Sequence, residues 1–312
     1  MPRIDRRRFI TIAAAMAGAG LLGRPALAGA GPEAVVWRGQ SMGAQATLIL
    51  NHPDPAKAET ILSRVEVELR RLERIFTLYR ADSELSRLNR AGVLAAPSPE
   101  MVEALRLAGQ VHAATGGRFD PTVQPLWRAY ATGADAEARA VARDLVGFDR
   151  VRVGEGRIVM DAGQELTLNG IAQGFITDRI VEMLRAAGAE RTLVDMGEIR
   201  ALGGRSATKA WRVGLARGGE IELADRALAV TEAAGFTFDP KGRLPHLIDP
   251  ASGAARSDWQ RIAVIAPEAG LADALSTGLS LAPEVAIRAT LAGLPGIEVR
   301  ALDARGHETV FG

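Results

Sequence analysis

The sequence contains no cysteine, and aromatic residues make up only 4% of its 312 residues. Without cysteine the protein has no disulfide, no thiolate metal site, no cysteine nucleophile and no lipid-modified cysteine. Stability therefore depends on core packing alone. Since 47% of the residues are hydrophobic but few are aromatic, we expect a sizeable core that is rich in Ala, Leu, Val and Ile.

The apolar stretch near the N-terminus is too short to cross a bilayer comfortably. It covers residues 10–22, which is 13 residues, whereas a membrane-spanning helix needs about 20. A basic segment with Arg6, Arg7 and Arg8 precedes this stretch, and the small-residue pattern Ala-Leu-Ala at 26–28 follows it. This order is typical of a secretory signal peptide, and adjacent arginines before the apolar stretch are typical of twin-arginine export.

We therefore predict a signal peptide over residues 1–28, cleaved after Ala28 or Ala30, and a mature domain over residues 31–312. The mature protein is expected to be periplasmic and to have no membrane span. An ordinary signal peptide and a basic amphipathic helix are the alternatives for this segment.

Removal of the signal peptide would change the sign of the net charge. The whole chain has a formal net charge of +1, but the signal segment holds five arginines and one aspartate, so the mature chain carries about −3. The remaining sequence has no basic run of the kind that follows a phosphate backbone. We therefore expect no nucleic-acid partner.

The hydrophobic pattern predicts helices and strands in mixed order. Helical spacing covers residues 54–76, 84–89, 99–115, 171–188 and 271–281, among others. Strand patterns include residues 35–37, 46–50, 166–168, 192–195 and 262–266. Because helices and strands do not alternate strictly, the pattern favours an α+β fold with mixed sheets and packed helices over a doubly wound sheet. No linker divides the mature chain, so we expect a single domain.

The first candidate site is the turn at residues 169–174, Asn-Gly-Ile-Ala-Gln-Gly, which opens a predicted helix. The N-terminus of a helix presents free N–H groups and partial positive charge, and glycines there let a ligand approach the backbone closely. The segment is neither a dinucleotide fingerprint nor a Walker loop. From these residues alone, tight helix–strand packing at Gly174 is the favoured explanation.

Two further stretches carry candidate side chains. Asp273 and Thr277 are four residues apart on a predicted helix, so a carboxylate and a hydroxyl share one face, as in part of an Mg²⁺ site. The alternative is that Asp273 favours the first helical turn and Thr277 simply packs. His246 lies among turn-forming residues, where it could act as a general base or merely as an exposed or capping histidine.

Six stretches, taken together and in order, resemble the ApbE family of FAD:protein FMN transferases over nearly the whole mature chain. They are residues 41–43 (SMG), 79–89 (YRADSELSRLN), 115–123 (TGGRFDPTV), 170–174 (GIAQG), 246–253 (HLIDPASG) and 272–277 (ADALST). Residues 168–174 (LNGIAQG), residues 194–203 (VDMGEIRALG) and the twin-arginine signal further resemble the NosX-type branch. Members of that branch are accessory proteins of nitrous oxide respiration, and they act on a membrane-bound flavoprotein that faces the periplasm.

The resemblance implies a protein that binds FAD and Mg²⁺, transfers FMN to a Ser or Thr hydroxyl of a target protein and releases AMP. It implies that His246 removes the proton from that hydroxyl. It implies metal contacts from Asp273 and Thr277 and from backbone oxygens near Gly170 and Ser276. The residues that it places around FAD are Met42, Tyr79, Arg118, Phe119, Asp120, Thr167, Gln173 and Thr231.

The sequence departs from the family pattern at three places. Thr167 and Gln173 stand where the family has Asp and Lys, and residues 231–236 (TEAAGF) replace the family's T-S-G region. The retained Asp273, Thr277 and His246 favour catalysis. Two other functions stay open, which are hydrolysis of FAD to FMN and AMP, and FAD binding by a non-catalytic chaperone.

Overall fold

The computed structural model describes residues 34–216, 218–239 and 241–312. The predicted signal peptide and its cleavage positions, Ala28 and Ala30, lie outside these residues. None of the helices in the described part of the chain combines the length and the apolar character that a bilayer crossing requires.

The described chain mixes helices and strands along its length. The helices are α1 (Pro55–Phe76), α2 (Glu84–Ala91), α3 (Pro99–Ala114), α4 (Gln124–Ala131), α5 (Ala136–Asp144), α6 (Ala172–Ala186), α7 (Ala269–Leu279) and α8 (Glu284–Ala292). The strands are β1 (Ala34–Ser41), β2 (Ala44–Asn51), β3 (Val93–Ala95), β4 (Arg152–Val153), β5 (Arg157–Val159), β6 (Thr192–Asp195), β7 (Ile199–Leu202), β8 (Trp211–Gly214), β9 (Glu220–Leu223), β10 (Ala227–Glu232), β11 (Arg261–Ala266), β12 (Glu298–Leu302) and β13 (Glu308–Phe311). Short 3₁₀ turns cover Pro121–Val123 and Phe148–Arg150.

One sheet of eight strands organises the domain. Its order is β1-β2-β6-β7-β10-β11-β12-β13, and each neighbouring pair is antiparallel. A three-stranded sheet, β3-β5-β4, and the hairpin β8-β9 complete the described strands. This arrangement confirms the predicted single-domain α+β fold.

Both faces of the large sheet are covered. Side chains alternate between the two faces of a strand, so Leu48 and Leu50 of β2 pack into the main core with the helices. Ile49 points the other way and packs with Trp211 and Ile221 of the β8-β9 hairpin. The sheet is therefore buried between helices on one face and a small hairpin on the other.

Side-chain caps mark the starts of two helices whose ranges the sequence predicted. The carboxylate of Asp54 accepts hydrogen bonds from the backbone N–H groups of Ala56 and Lys57 at the start of α1. The hydroxyl of Ser83 accepts from the N–H of Ser86 at the start of α2. These caps satisfy N–H groups that the first helical turn leaves without partners.

The predicted strand at residues 166–168 is wrong. The N–H of Leu166 donates to Asn89 Oδ1 at 2.7 Å, and its carbonyl accepts from Asn89 Nδ2 at 2.8 Å. The N–H of Thr167 donates to the carbonyl of Pro121. A side chain and a loop carbonyl therefore supply the hydrogen bonds that a neighbouring strand would make. The sequence interpretation also missed α4, β3 and β7.

Candidate active site

A cavity of about 440 Å³ brings together segments that are far apart in sequence. Eleven of the thirteen predicted site residues line it, namely Tyr79, Arg118, Phe119, Asp120, Thr167, Gly170, Gln173, Thr231, His246, Asp273 and Thr277. A cavity of this size falls in the range of small-molecule sites. His246 and Asp273 therefore border a common space.

Met42 and Ser276 lie off the cavity lining. The N–H of Met42 donates to Glu73 Oε1 at 2.7 Å, and its backbone has a positive φ of 51°. Ser276 is buried, its hydroxyl lies 2.7 Å from Thr231 Oγ1, and its carbonyl accepts from the hydroxyl of Ser280. The structure thus gives both residues structural contacts, and it does not bring them to the space that the other eleven share.

The glycines of the 169–174 turn allow two close approaches. A Cβ at Gly170 would lie 2.7 Å from Thr277 Oγ1. A Cβ at Gly174 would lie 2.8 Å from Asp273 Cβ and would overlap the backbone carbonyl of Ala269. Gly174 therefore serves tight packing, but its partner is helix α7 and not a strand. This packing brings the start of α6 against the helix that carries Asp273 and Thr277.

Asp273 is held in place by the backbone of α6. Its Oδ2 accepts a hydrogen bond from the N–H of Gly174 at 3.1 Å, and the residue is only 4% exposed. Burial raises the pKa of the Asp273 carboxyl to about 7, the negative charge of Asp178 adds to the rise, and the Gly174 bond opposes it. Among the residues that the structure describes, no cationic side chain is hydrogen-bonded to Asp273. A bound cation would therefore stabilise the ionised form of this carboxyl group.

Two further buried carboxyl groups, which the sequence interpretation missed, lie in this region. Glu198 lines the cavity and is 8% exposed. Burial raises its pKa well above the usual value, and the charges of Asp273 and Asp195 raise it further. Burial also raises the pKa of Asp195 to about 6. The sequence feature that could have identified them is the position of Asp195 and Glu198 on either side of a glycine, in the turn that follows a predicted strand.

The residues at Asp273 fit an Mg²⁺ ion. Within the described ranges, no group of three or more His, Cys, Asp or Glu side chains is placed to hold a metal. An ion would therefore depend on the Asp273 carboxylate, the Thr277 hydroxyl and backbone oxygens. These are hard oxygen donors, which Mg²⁺ prefers, and Mg²⁺ commonly uses only one or two carboxylates and leaves positions for substrate phosphates.

His246 is oriented by one carbonyl group. Its ring Nδ1 lies 3.1 Å from the backbone oxygen of Phe236. The backbone N–H of His246 donates to the same oxygen. Because a carbonyl oxygen only accepts, Nδ1 carries the hydrogen and Nε2 keeps its lone pair. Burial lowers the pKa of His246 below 6.5, although the Phe236 bond opposes this. The neutral imidazole is therefore available as a base at neutral pH.

The rim of the cavity combines aromatic and charged groups. Tyr79 is 46% exposed, and its phenol bonds with Asn169, so its ring offers a flat face for stacking. Phe119 is buried, and Arg118 donates to the carbonyl of Thr115 at 2.9 Å.

Asp120 has an architectural role at this rim. One carboxylate oxygen accepts from the N–H and the hydroxyl of Thr122, and the other accepts from the N–H of Phe148. These bonds tie the 115–123 loop to the 3₁₀ turn at Phe148–Arg150. Any FAD contact of Asp120 would add to this network.

Thr167 and Gln173, the two residues of segment 166–174 that depart from the family pattern, have different surroundings. The amide of Gln173 lies against Gly197, whose positive φ of 109° is a glycine conformation, and a Cβ there would overlap that amide. Thr167 lies at the cavity with its backbone tied to Pro121. Gln173 thus brings no positive charge to the region of Asp195 and Glu198.

The sequence matches the model of the ApbE family over residues 42–301. It is 30% identical over 283 residues to the FAD:protein FMN transferase of Treponema pallidum, covering 78% of this chain and 77% of that protein. It is 28% identical over 286 residues to an FAD:protein FMN transferase of Klebsiella pneumoniae, covering 81% and 80% respectively.

The fold is also similar to solved structures. The flavin transferase ApbE from Vibrio cholerae aligns with a TM-score of 0.77 and 23% identity, covering 89% of this chain and 96% of that chain. The apo form of the Pseudomonas stutzeri flavinyl transferase ApbE aligns with a TM-score of 0.78 and 24% identity, covering 89% and 94% respectively. At these identities the alignments establish a common fold.

Proposed function

The chain belongs to the ApbE family, and we propose that it is an FAD:protein FMN transferase. It would move the FMN part of FAD to a Ser or Thr hydroxyl of a target protein and release AMP. The observation that carries this proposal is the convergence of His246, Asp273 and Thr277 on one cavity with the aromatic ring of Tyr79 at its rim.

His246 acts as the base in this proposal. Its Nε2 accepts the proton of the target hydroxyl while the hydroxyl oxygen attacks the phosphorus on the FMN side of the diphosphate. An oxygen–phosphorus bond forms to the target, the bond from that phosphorus to the bridging oxygen breaks, and AMP leaves with the bridging oxygen. The Phe236 carbonyl keeps Nδ1–H engaged, which leaves Nε2 as the ring nitrogen with a lone pair to accept the proton.

We propose that transfer depends on Mg²⁺. Asp273 and Thr277, with a backbone oxygen near Gly170, would hold the ion. When bound, Mg²⁺ offsets negative charge on the diphosphate oxygens, which is the main requirement of phosphoryl transfer. The buried carboxyl group of Glu198 supports the proposal, because the charge of Asp273 helps to raise its pKa and a divalent cation would relieve that repulsion.

We propose that the mature chain acts in the periplasm after twin-arginine export. Its target would be a membrane-bound flavoprotein of nitrous oxide respiration that faces the periplasm. The N-terminal pattern around Arg6 and Arg7 supports the location. The resemblance of residues 168–174 and 194–203 to the NosX-type branch supports the target.

The decisive experiment incubates the mature protein with FAD, Mg²⁺ and the candidate flavoprotein, with an EDTA-treated sample as control. Flavin fluorescence on the target in a denaturing gel, together with an equal amount of AMP, is the expected result. Free FMN without labelled target would instead establish hydrolysis of FAD. Intact FAD throughout, with FAD bound to the protein, would instead establish a carrier.

A further inference from the structure

The N-terminus of helix α7 is capped by a residue from another helix. Glu268, at the N-cap position, makes no side-chain capping bond. Instead, Asp178 of α6 accepts hydrogen bonds from the N–H of Ala269 and from the N–H of Gly270, both at 2.8 Å. These donors belong to the first turn of α7, which has no partners for them within the helix. The cap therefore joins two helices that are far apart in sequence.

The same two helices are joined by a bond in the reverse direction. Asp273 of α7 accepts from the N–H of Gly174 at the start of α6. Between the two bonds the helix backbones are nearly in contact, since a Cβ at Gly270 would lie 3.3 Å from the backbone nitrogen of Phe175. Each helix thus uses a carboxylate to hold the N-terminal backbone of the other, which sets the register between them.

Asp178 is itself held from the central sheet. Arg200 of β7 donates from Nη1 to Asp178 Oδ1 at 2.5 Å, and both residues are buried. A buried carboxylate with two backbone donors and one guanidinium has little freedom to turn. Asp178 does not line the cavity; it acts on the site through its hold on α7 and through its negative charge, which helps to raise the pKa of Asp273.

We propose that Asp178 is a positioning residue for the cation site of Asp273 and Thr277, a role that rests on the proposed Mg²⁺ dependence. Asp273 lies one helical turn after the capped residues, and Thr277 lies one turn further along α7. A shift or tilt of α7 moves both side chains relative to Gly170, which lies in the turn before α6. Loss of the cap is therefore expected to weaken cation binding without removing a ligand.

The test measures Mn²⁺ binding to the purified protein in the presence of FAD, by the electron paramagnetic resonance signal of free Mn²⁺. Mn²⁺ suits the same oxygen ligands as Mg²⁺. Asp178→Asn is expected to raise the dissociation constant about tenfold, the scale seen when outer partners of metal sites are changed. Asp54→Asn is the matched control, because Asp54 also caps two N–H groups of a helix, α1, but lies outside the cavity lining.

Gly270→Ala provides a second variant that leaves Asp178 and Arg200 unchanged. Its methyl group would lie 3.2 Å from Leu107 Cδ2 and 3.3 Å from the backbone nitrogen of Phe175, so α7 and these neighbours must separate by a few tenths of an ångström. Weaker Mn²⁺ binding is expected again, with circular dichroism unchanged. If either variant folds and binds Mn²⁺ as tightly as the wild type, the proposal is overturned. Absence of FMN transfer by the wild type would refute the proposed function alone, because Mn²⁺ binding is measured separately.

Discussion

The Oδ2 atom of Asp273 lies 3.1 Å from the backbone nitrogen of Gly174, although the two residues are 99 positions apart in the chain. This bond places the carboxylate of one helix at the N-terminus of another, where partial positive charge stabilises it. The glycine is needed because any side chain at that position would collide with α7. Packing and chemistry therefore depend on the same contact.

Replacing Gly174 by Ala should destabilise the protein by about 2 kcal/mol, in the range found for overpacked cores. The added Cβ would lie 2.8 Å from Asp273 Cβ and would overlap a backbone carbonyl, which cannot move independently of α7. Urea unfolding measures the change. Gly214→Ala is the control, since a Cβ there meets nothing within 4 Å. Equal stability of the two variants would contradict the close helix crossing.

Replacing Asp273 by Ala should reduce FMN transfer by at least about 100-fold, as expected when a group that stabilises the reacting phosphate is lost. The measurement is fluorescent labelling of the target protein at several Mg²⁺ concentrations. The control is Asp303→Ala, which changes a carboxylate in the β12-β13 turn. This variant should label the target protein as strongly as the wild type. Undiminished labelling by Asp273→Ala would remove the metal assignment.

Replacing His246 by Ala should lower the transfer rate by roughly 100- to 10,000-fold, the usual contribution of a general base. FAD retention, measured by absorbance after gel filtration, should be unchanged. The exposed His307 is the control position. Because burial lowers the pKa of His246 below 6.5, the wild-type rate should decline only as the pH falls below that value. The profile is measured at saturating Mg²⁺, which keeps Asp273 ionised, and a decline that begins above pH 7 under that condition would be incompatible with this assignment.

Replacing Asn89 by Ala should cost about 2 kcal/mol, because the buried N–H and carbonyl of Leu166 both lose their partner. The Asn89→Asp variant keeps the acceptor for the Leu166 N–H but sets a carboxylate oxygen against the Leu166 carbonyl, so its melting temperature should fall further as the pH rises and the carboxylate ionises. Thermal unfolding followed by circular dichroism distinguishes the two. If Asn89→Ala melted at the same temperature as the wild type, the backbone of segment 166–168 would have other hydrogen-bond partners.

The metal-free protein should become less stable as the pH rises from 5 to 8. The pKa values of Asp178 and Asp195 are raised from 3.8 to about 6, and that of Asp273 to about 7, mainly by burial. The folded state therefore binds more protons than the unfolded state, so this stabilisation is complete below pH 3.8 and is lost as the pH rises through 6 and 7. The lowered pKa of His246 acts in the opposite sense, but it is one group against several carboxyls.

Differential scanning calorimetry with and without Mg²⁺ checks this dependence. We expect the melting temperature to fall by a few degrees without metal, since about 1 kcal/mol corresponds to 2–4 °C in a large domain. Mg²⁺ should reduce the fall because it binds the ionised carboxylate. Asp195→Asn removes one ionising group, so the melting temperature of this variant should fall less steeply with pH than that of the wild type. A melting temperature that rises across this range without metal would refute the raised pKa values.

The sequence by itself determined the fold class and most of the local structure. Helix α1 follows from its apolar spacing and the Asp54 cap, and both signals act within a few residues of one another. The motifs around Tyr79, His246 and Asp273 were also sufficient to indicate the family, because they combine specific residue types in a fixed order.

Only the tertiary structure decided how those motifs meet. The Asp178 cap joins residues 91 and 92 positions apart, and the Asn89 bonds to Leu166 span 77 positions. No local pattern encodes such partners, since each side chain alone is compatible with several contacts. The raised pKa of Glu198 also depends on the tertiary structure. Its cause is burial together with the nearby charge of Asp273, and neither can be read from the position of Glu198 in the sequence.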